Sequence, residues 1–150
     1  WNESHYWSLN FHDAHELTQS KDDSLYCTIK RSLKSRLDAS KTFVLIVGNS
    51  TNTVAQGKCK YCRSYDDPTS KCANGYTIDN RSYIQYECAK ALEAYSEGSM
   101  KIIVLYNAAS VDKEKCPESI RSVGKHVAMK KMVNGYKDFD YQAVRDALMN

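Results

Sequence analysis

Apolar residues at helical spacing predict three helices along the chain. Over residues 24–40, one side of a helix is marked by apolar residues four apart, Leu25, Ile29, Leu33 and Leu37. A second helix is predicted to begin at about Ser82. It is expected to end near Gly98, because glycine is favourable just after a helix ends. Segment 140–150 predicts a closing amphipathic helix, and 116–124 predicts a short helical turn. Each apolar stripe requires a partner surface that covers it.

Four further segments have the composition of strands. Residues 7–13 alternate between apolar and polar side chains, which is typical of a strand with one buried face. Segments 41–47 and 101–106 are instead continuous β-branched and aromatic runs, and 125–131 predicts a last, shorter strand. Runs without alternation indicate strands that are covered on both faces, as in a parallel sheet.

Strands that alternate with helices predict a right-handed, mostly parallel α/β sheet in a single domain over residues 1–150. Segment 51–79 has little periodicity and holds clustered cysteines, so we predict an ordered insertion there. In such sheets, ligands bind at the carboxyl ends of the strands. The candidate site is therefore expected at the loop tips 12–15, 48–51 and 106–110.

Composition argues against several classes of protein. The 150 residues are 42% apolar and 26% charged, which is typical of a soluble globular domain. The longest uninterrupted apolar run, Phe43–Val47, is far short of the roughly 20 residues that cross a bilayer. A formal net charge of +3 gives no basis for nucleic-acid binding. With no secretory signal, we expect a cytoplasmic protein without membrane or nucleic-acid partners.

Glu87 is the first candidate for chemistry. No G-x-G-x-x-G, P-loop or G-x-S-x-G motif is present, so dinucleotide-binding Rossmann folds, NTPases and serine hydrolases have no support. Glu87 stands between Tyr86 and Cys88 on the predicted second helix, at the edge of its buried stripe. A half-buried carboxylate is unfavourable unless it is paired or used. If Glu87 has no catalytic role, it either forms an ion pair with a lysine or arginine or occupies a position that faces water.

A second candidate is the His-Asp-Ala-His segment at residues 12–15. Asp13 ends the first predicted strand at the edge of the sheet where ligands bind, and His15 follows it closely. Aspartate is also a common turn former, and most surface histidines have no special role. The segment is therefore either part of a site or an ordinary turn.

Cysteines form the third candidate. Three of the six are dispersed along the chain, namely Cys27, Cys88 and Cys116. We predict these to be small buried hydrophobic residues. The other three are clustered as Cys59, Cys62 and Cys72, and a C-x2-C pair presents two thiolates to one ion, as in half of a zinc site. A fourth ligand would come from elsewhere, for instance Cys116 or a histidine. Free thiols or a redox pair are the alternative.

Several phrases of the sequence also resemble a known family. The phrases DAHEL, TIKRSLKSRLDASKTFVLIVGNST, SYIQYECAKAL and KIIVLYN are similar to the TIR-like domain of the Thoeris bacterial anti-phage defence proteins, of the ThsB type. The similarity runs from about residue 10 to about residue 131. Its most specific part is the aromatic-x-x-aromatic-Glu phrase of Tyr83, Tyr86 and Glu87, although the family often has tryptophan where this chain has Tyr83.

The resemblance implies a flavodoxin-like, three-layer fold with a mostly parallel central sheet, and an enzyme that acts on NAD. In catalytic TIR domains, a glutamate on this helix works on the bond between nicotinamide and ribose, giving ADP-ribose or a cyclic signal nucleotide. The implied catalytic residue is Glu87, and the implied substrate-binding residues are Asp13, His15, Asn49 and Tyr83. The family also implies homo-oligomers that form through TIR-like surfaces, and a first strand and helix that precede Trp1.

Two other classes of function stay open from the sequence. TIR-like domains also serve as non-catalytic assembly modules in signalling, and such a scaffold needs no reactive Glu87. A receiver-like domain that resembles response regulators is the third class. It would need an acidic cluster at the strand ends, where the sequence shows only Asp13.

Overall fold

Three α-helices lie within residues 25–150, the part of the chain that the computed structural model describes. They are α1 (Tyr26–Asp38), α2 (Tyr83–Ser96) and α3 (Tyr141–Met149), and they confirm the three predicted helices. The predicted strand at residues 7–13, together with Asp13 and His15, lies outside the described residues. Among the helices within 25–150, none combines the length and the apolar composition that crossing a bilayer requires.

Seven strands in the described residues form one parallel sheet and two hairpins. They are β1 (Thr42–Val47), β2 (Tyr65–Asp66), β3 (Lys71–Cys72), β4 (Lys101–Tyr106), β5 (Lys125–Ala128), β6 (Lys130–Val133) and β7 (Tyr136–Phe139). The parallel sheet has the order β1-β4-β5, in which Val104 pairs with Leu45 on one side and His126 on the other. The prediction of an α/β fold with a parallel sheet is confirmed, with three strands over the described residues. A flavodoxin-like strand order stays a prediction.

Helices cover both faces of the parallel sheet. Neighbouring side chains of β4 point to opposite faces, so this strand contributes to two apolar clusters. The cluster shared with α1 and α2 contains Phe43, Leu45, Val47, Cys88, Ala91, Met100, Ile102, Val104, Tyr106, Cys116 and Ile120. The cluster shared with α3 contains Ile103, Leu105, Met129, Val144 and Ala147. Covering on both faces explains why the sequence of β4 shows no polar alternation.

A capping box holds the start of α2. The Ser82 hydroxyl accepts a hydrogen bond from the Gln85 N–H at 3.2 Å, and the Gln85 side-chain oxygen accepts one from the Ser82 N–H at 2.8 Å. The Tyr83 N–H donates to the Gln56 carbonyl at 2.9 Å, which ties the helix to the insertion. Such caps satisfy backbone groups that the helix itself leaves unpaired. The turn that carries Glu87 therefore follows a well-anchored helix start.

The predicted strand at 125–131 is wrong at its C-terminal end. β5 stops at Ala128, and Lys130 begins β6, which pairs antiparallel with β7. The turn between β6 and β7 contains Asn134 and Gly135, with φ of 50° and 83°. Two successive positive φ angles suit a type I′ turn, for which Asn-Gly is a preferred pair. The Val-Asn-Gly-Tyr phrase is therefore a local hairpin signal in the sequence.

Gly124 allows the chain to enter β5 close to the backbone of β4. Its φ is +77°, and a Cβ at this position would lie 2.4 Å from the carbonyl oxygen of Ile102. Gly98 also has a positive φ, +72°, but its Cβ would meet nothing within 4 Å. The two glycines thus share a backbone conformation and differ in the space around them.

We expect Gly124→Ala to lower the free energy of unfolding by at least about 3 kcal/mol, and Gly98→Ala by only about 1 kcal/mol. Both substitutions add a methyl group at positive φ, so the difference reports the clash with Ile102. Urea unfolding followed by circular dichroism measures both values. Equal losses in the two variants would contradict a close approach of β4 and β5 at this point.

Candidate functional site

The first half of α2 lies toward the carboxyl edge of the parallel sheet. β1 ends at Val47 on that edge, and the chain returns through α2 to begin β4 at Lys101 on the opposite edge. α2 therefore runs against the direction of the strands. Glu87 is in its second turn, on the side of the sheet where ligands bind in open α/β folds.

Glu87 is a buried carboxylate. Its residue surface is 7% exposed, and the neighbouring Tyr86 and Cys88 are also buried. The alternative in which Glu87 faces water is therefore wrong. A carboxylate in such a place requires hydrogen bonds or a charge partner. If ionised, it would act more strongly on a nearby positive charge than it would in water, because little solvent screens it.

Tyr83 lies one turn before Glu87 and packs against the insertion. Its ring meets Tyr26 edge-on at a centroid distance of 5.8 Å, and a Cβ on Gly57 would lie 2.6 Å from a ring carbon. Its hydroxyl oxygen is buried and has no hydrogen-bond partner among the described residues. Burial, together with nearby Tyr26 and Cys62, raises the pKa of Tyr83 well above its usual range. A role for Tyr83 in substrate binding stays a prediction.

Asn49 joins two loops at the carboxyl edge of the sheet. Its side-chain oxygen accepts a hydrogen bond from Lys115 Nζ at 3.0 Å, so the loop after β1 contacts the loop after β4. The same Nζ lies 3.6 Å from a carboxylate oxygen of Asp112. The structure thus places Asn49 at the predicted edge, beside a cation. Its role as a substrate ligand stays a prediction, as do those of Asp13 and His15, which lie outside the described residues.

Tyr106 and His126 form a hydrogen-bonded pair that the sequence patterns did not indicate. The Tyr106 hydroxyl lies 2.8 Å from His126 Nδ1, and His126 Nε2 lies 3.0 Å from the Val123 carbonyl oxygen. Because a carbonyl only accepts, a neutral ring donates from Nε2 and accepts the tyrosine O–H at Nδ1. Burial raises the pKa of Tyr106 well above its usual range. Tyr106 and His126 are 20 positions apart in the chain and meet only because β4 pairs with β5. No local sequence motif therefore predicts the pair.

A buried lysine joins α1 to the end of the insertion. Lys30 is 4% exposed, and its Nζ donates to the carbonyl oxygens of Asp79 at 3.0 Å and Arg81 at 2.7 Å. It also lies 3.4 Å from the Asp79 carboxylate, which pairs with the Arg81 guanidinium at 2.8 Å. Desolvation raises the pKa of Asp79, but hydrogen bonds from Arg81 and the charge of Lys30 outweigh it and lower the pKa to about 2. Lys30 Nζ is 5.6 Å and Arg81 Cζ 5.0 Å from the ring centroid of Tyr86.

Four cysteines line one small cavity between α1 and the insertion. The cavity measures about 20 Å³ and is lined by the three clustered cysteines and by Cys27. The prediction that Cys27 is a buried core residue is therefore wrong, because it is only partly buried and stands beside the cluster. Cys88 and Cys116 are fully buried in the main apolar cluster, as predicted. Cys116 does not line the cavity, so the suggestion that it is a fourth metal ligand is not supported.

All six cysteines are free thiols. Within residues 25–150, no group of three or more His, Cys, Asp or Glu side chains is already arranged to hold a metal ion. The four thiols therefore share a cavity without converging on one point in it.

Comparison of the chain with protein-family models, with curated protein sequences and with solved structures found no significant match. The resemblance to TIR-like domains therefore stays a prediction that rests on the residues of this chain.

We expect Lys30→Met to lower the free energy of unfolding by about 3 kcal/mol, because it leaves two partly buried carbonyls without their donor and removes one of the two cations beside the Asp79 carboxylate. Lys34→Met on the same helix is the matched control. Lys34 pairs with Asp38 on the exposed surface, where water screens the pair, so its loss should change the free energy of unfolding very little. Denaturant unfolding of the two variants checks this, and similar small losses would contradict an anchoring role for Lys30.

Proposed function

We propose that this chain is a TIR-like domain that cleaves or cyclises NAD and releases an ADP-ribose-type signal in bacterial anti-phage defence. The proposal rests on the sequence resemblance and on one observation of the structure. Glu87 is a buried carboxylate in the second turn of a capped helix that begins toward the carboxyl edge of a parallel sheet. This is the kind of position in which a fixed negative charge is useful for chemistry on a sugar.

Glu87 would act on the ribose as the bond to nicotinamide breaks. In hydrolysis, the ribose C1′–nitrogen bond breaks, nicotinamide leaves with the bonding pair, and a water oxygen bonds to C1′ and releases a proton. In cyclisation, a nucleophilic atom of the same nucleotide takes the place of water. The ribose carries positive charge between these two events. A carboxylate held nearby stabilises that charge without having to reorganise at the moment of reaction.

The carboxyl edge offers further groups to such a substrate. Lys115 carries a positive charge beside Asn49 and 3.6 Å from the Asp112 carboxylate, and we propose that it exchanges this carboxylate for the negatively charged pyrophosphate of a dinucleotide. Asn49 adds an amide that can hydrogen-bond to ribose hydroxyls. We propose that Asp13, His15 and Tyr83 complete the substrate-binding set, as the resemblance implies.

Full-length protein incubated with NAD should release nicotinamide, and Glu87→Gln should slow that release by about 100-fold or more. The amide keeps the shape of the side chain and removes its charge, so the loss should appear in kcat rather than in the fold. Chromatographic measurement of nicotinamide gives the rate, and the melting temperature tells a folded variant from an unfolded one.

Glu93→Gln is the matched control for this experiment. Glu93 is on the same helix but exposed, where it pairs with Lys90, so its loss should leave the rate within about twofold of the wild type. If Glu87→Gln does not fold, Glu87→Asp takes its place in the experiment. Aspartate keeps the negative charge, but its side chain is one methylene shorter, so the carboxylate lies farther from the ribose. Unchanged nicotinamide release from a folded Glu87→Gln protein would rule out the proposed mechanism.

The main alternative is a TIR-like assembly module without catalysis. Apolar side chains exposed around the β6–β7 hairpin favour it, namely Met132, Val133, Tyr136 and Tyr141. Tyr136 is 80% exposed, which is unusual for a large aromatic side chain. Light scattering separates the two functions. A mass that rises with protein concentration, together with no nicotinamide release from the wild type, would favour assembly over catalysis.

A further inference from the structure

The cavity between α1 and the insertion has the chemical character of a metal site. Its lining includes four thiols, contributed by Cys27, Cys59, Cys62 and Cys72. Four thiolates are a complete ligand set for structural zinc, which is tetrahedral. A volume of about 20 Å³ accommodates a water-sized body or one ion and is far too small for a nucleotide. This cavity is therefore distinct from the proposed NAD site.

The C-x2-C pair lies on a tight backbone turn. Residues Cys59–Tyr61 form a short 3-10 turn, and the Cys62 N–H donates to the Cys59 carbonyl at 2.8 Å. The Asp79 N–H points at the Cys59 sulfur at 3.2 Å. A backbone N–H directed at sulfur stabilises the thiolate, which is the form that binds metal. The far end of the insertion thus already supports the first cysteine.

Cys72 reaches the same cavity through the β2–β3 hairpin. Tyr65 of β2 pairs with Cys72 of β3, and the Tyr65 N–H donates to the Cys62 carbonyl at 3.0 Å. A tight turn follows, in which the Gly75 N–H donates to the Cys72 carbonyl at 2.9 Å. Backbone hydrogen bonds of the hairpin therefore help to hold the third cysteine near the C-x2-C turn.

Two observations show that the surroundings of the cavity suit a charged centre. The buried Tyr83 hydroxyl has no partner among the described residues, and it lies near Cys27, Cys59 and Cys62. A buried O–H without an acceptor is unfavourable, and a metal-bound thiolate would supply one. In the sequence, basic residues directly flank the clustered cysteines, namely Lys58, Lys60, Arg63 and Lys71. Their charge would offset the net charge of −2 that four thiolates and one Zn²⁺ carry.

We propose that Cys27, Cys59, Cys62 and Cys72 bind one zinc ion, with Cys27 of α1 as the fourth ligand. The thiols do not converge as the side chains stand, so metal binding would rotate them into the cavity. Binding exchanges thiol protons for Zn²⁺ and involves no change of oxidation state. The ion would join α1 to the insertion, beside the contact that Lys30 makes with Asp79. It would thereby order the segment that packs on Tyr83 at the start of α2.

Metal analysis and cobalt spectroscopy of the full chain test this proposal. Purified wild-type protein should contain about one equivalent of zinc, and Co²⁺ in its place should give the intense visible bands and thiolate charge-transfer absorption of a tetrahedral four-sulfur site. Cys27→Ser should weaken Co²⁺ binding by about 100-fold or more and reduce the charge-transfer intensity per ion. A chelator should lower the melting temperature of the wild type far more than that of Cys27→Ser.

Cys116→Ala is the matched control, because Cys116 is a thiol buried in the core away from the cavity. It should keep the full cobalt spectrum, and Cys88→Ala serves the same purpose if Cys116→Ala does not fold. Three results would overturn the proposal. They are protein without bound metal that takes up no Co²⁺, a full four-sulfur spectrum in folded Cys27→Ser, and a Cys59–Cys62 disulfide in protein purified without added oxidant. None of them bears on nicotinamide release, so this test is separate from that of the proposed function.

Discussion

The buried amine of Lys30 is the interaction on which the arrangement around α2 depends. It joins two backbone carbonyls and a carboxylate at the end of the insertion to the middle of α1. These acceptors immediately precede the capping box at Ser82, so the same contact sets where α2 begins. A buried charge is tolerated only when its partners are in place, because its desolvation is otherwise uncompensated. The insertion must therefore fold against α1 for the Glu87 helix to be positioned.

The two proposed sites are built from different residues near the start of α2. Glu87 belongs to the second turn of the helix, which lies toward the carboxyl edge of the sheet, whereas the four-cysteine cavity lies between α1 and the insertion. Tyr83 connects them, since it precedes Glu87 by one turn and its hydroxyl approaches the cysteines. Gly57 fits against the Tyr83 ring because any larger residue there would collide with it. A zinc ion in the cavity would thus have a structural influence on the proposed catalytic helix.

Local patterns in the sequence predicted the elements well and the residue partners poorly. The spacing of apolar residues located all three helices, and continuous apolar runs located β1 and β4, because burial on a helix or strand repeats at short intervals. The same reasoning missed the Asn134-Gly135 hairpin, whose signal is a turn type rather than a periodicity. The reasoning from local patterns also grouped Cys27 with the core cysteines. A single cysteine on a helix has the same sequence pattern whether its thiol packs in the core or lines a cavity.

The sequence by itself determined the α/β class, the buried strands, the C-x2-C turn and Glu87 on a helix, because each depends on neighbours within a few residues. Only the tertiary structure decided which distant residues meet. Lys30 contacts a carbonyl 49 positions away, and Cys27 shares a cavity with cysteines of the insertion. Such contacts form when whole elements pack on the sheet and bury their apolar faces. No local pattern records them, since the packing geometry is set by the entire chain.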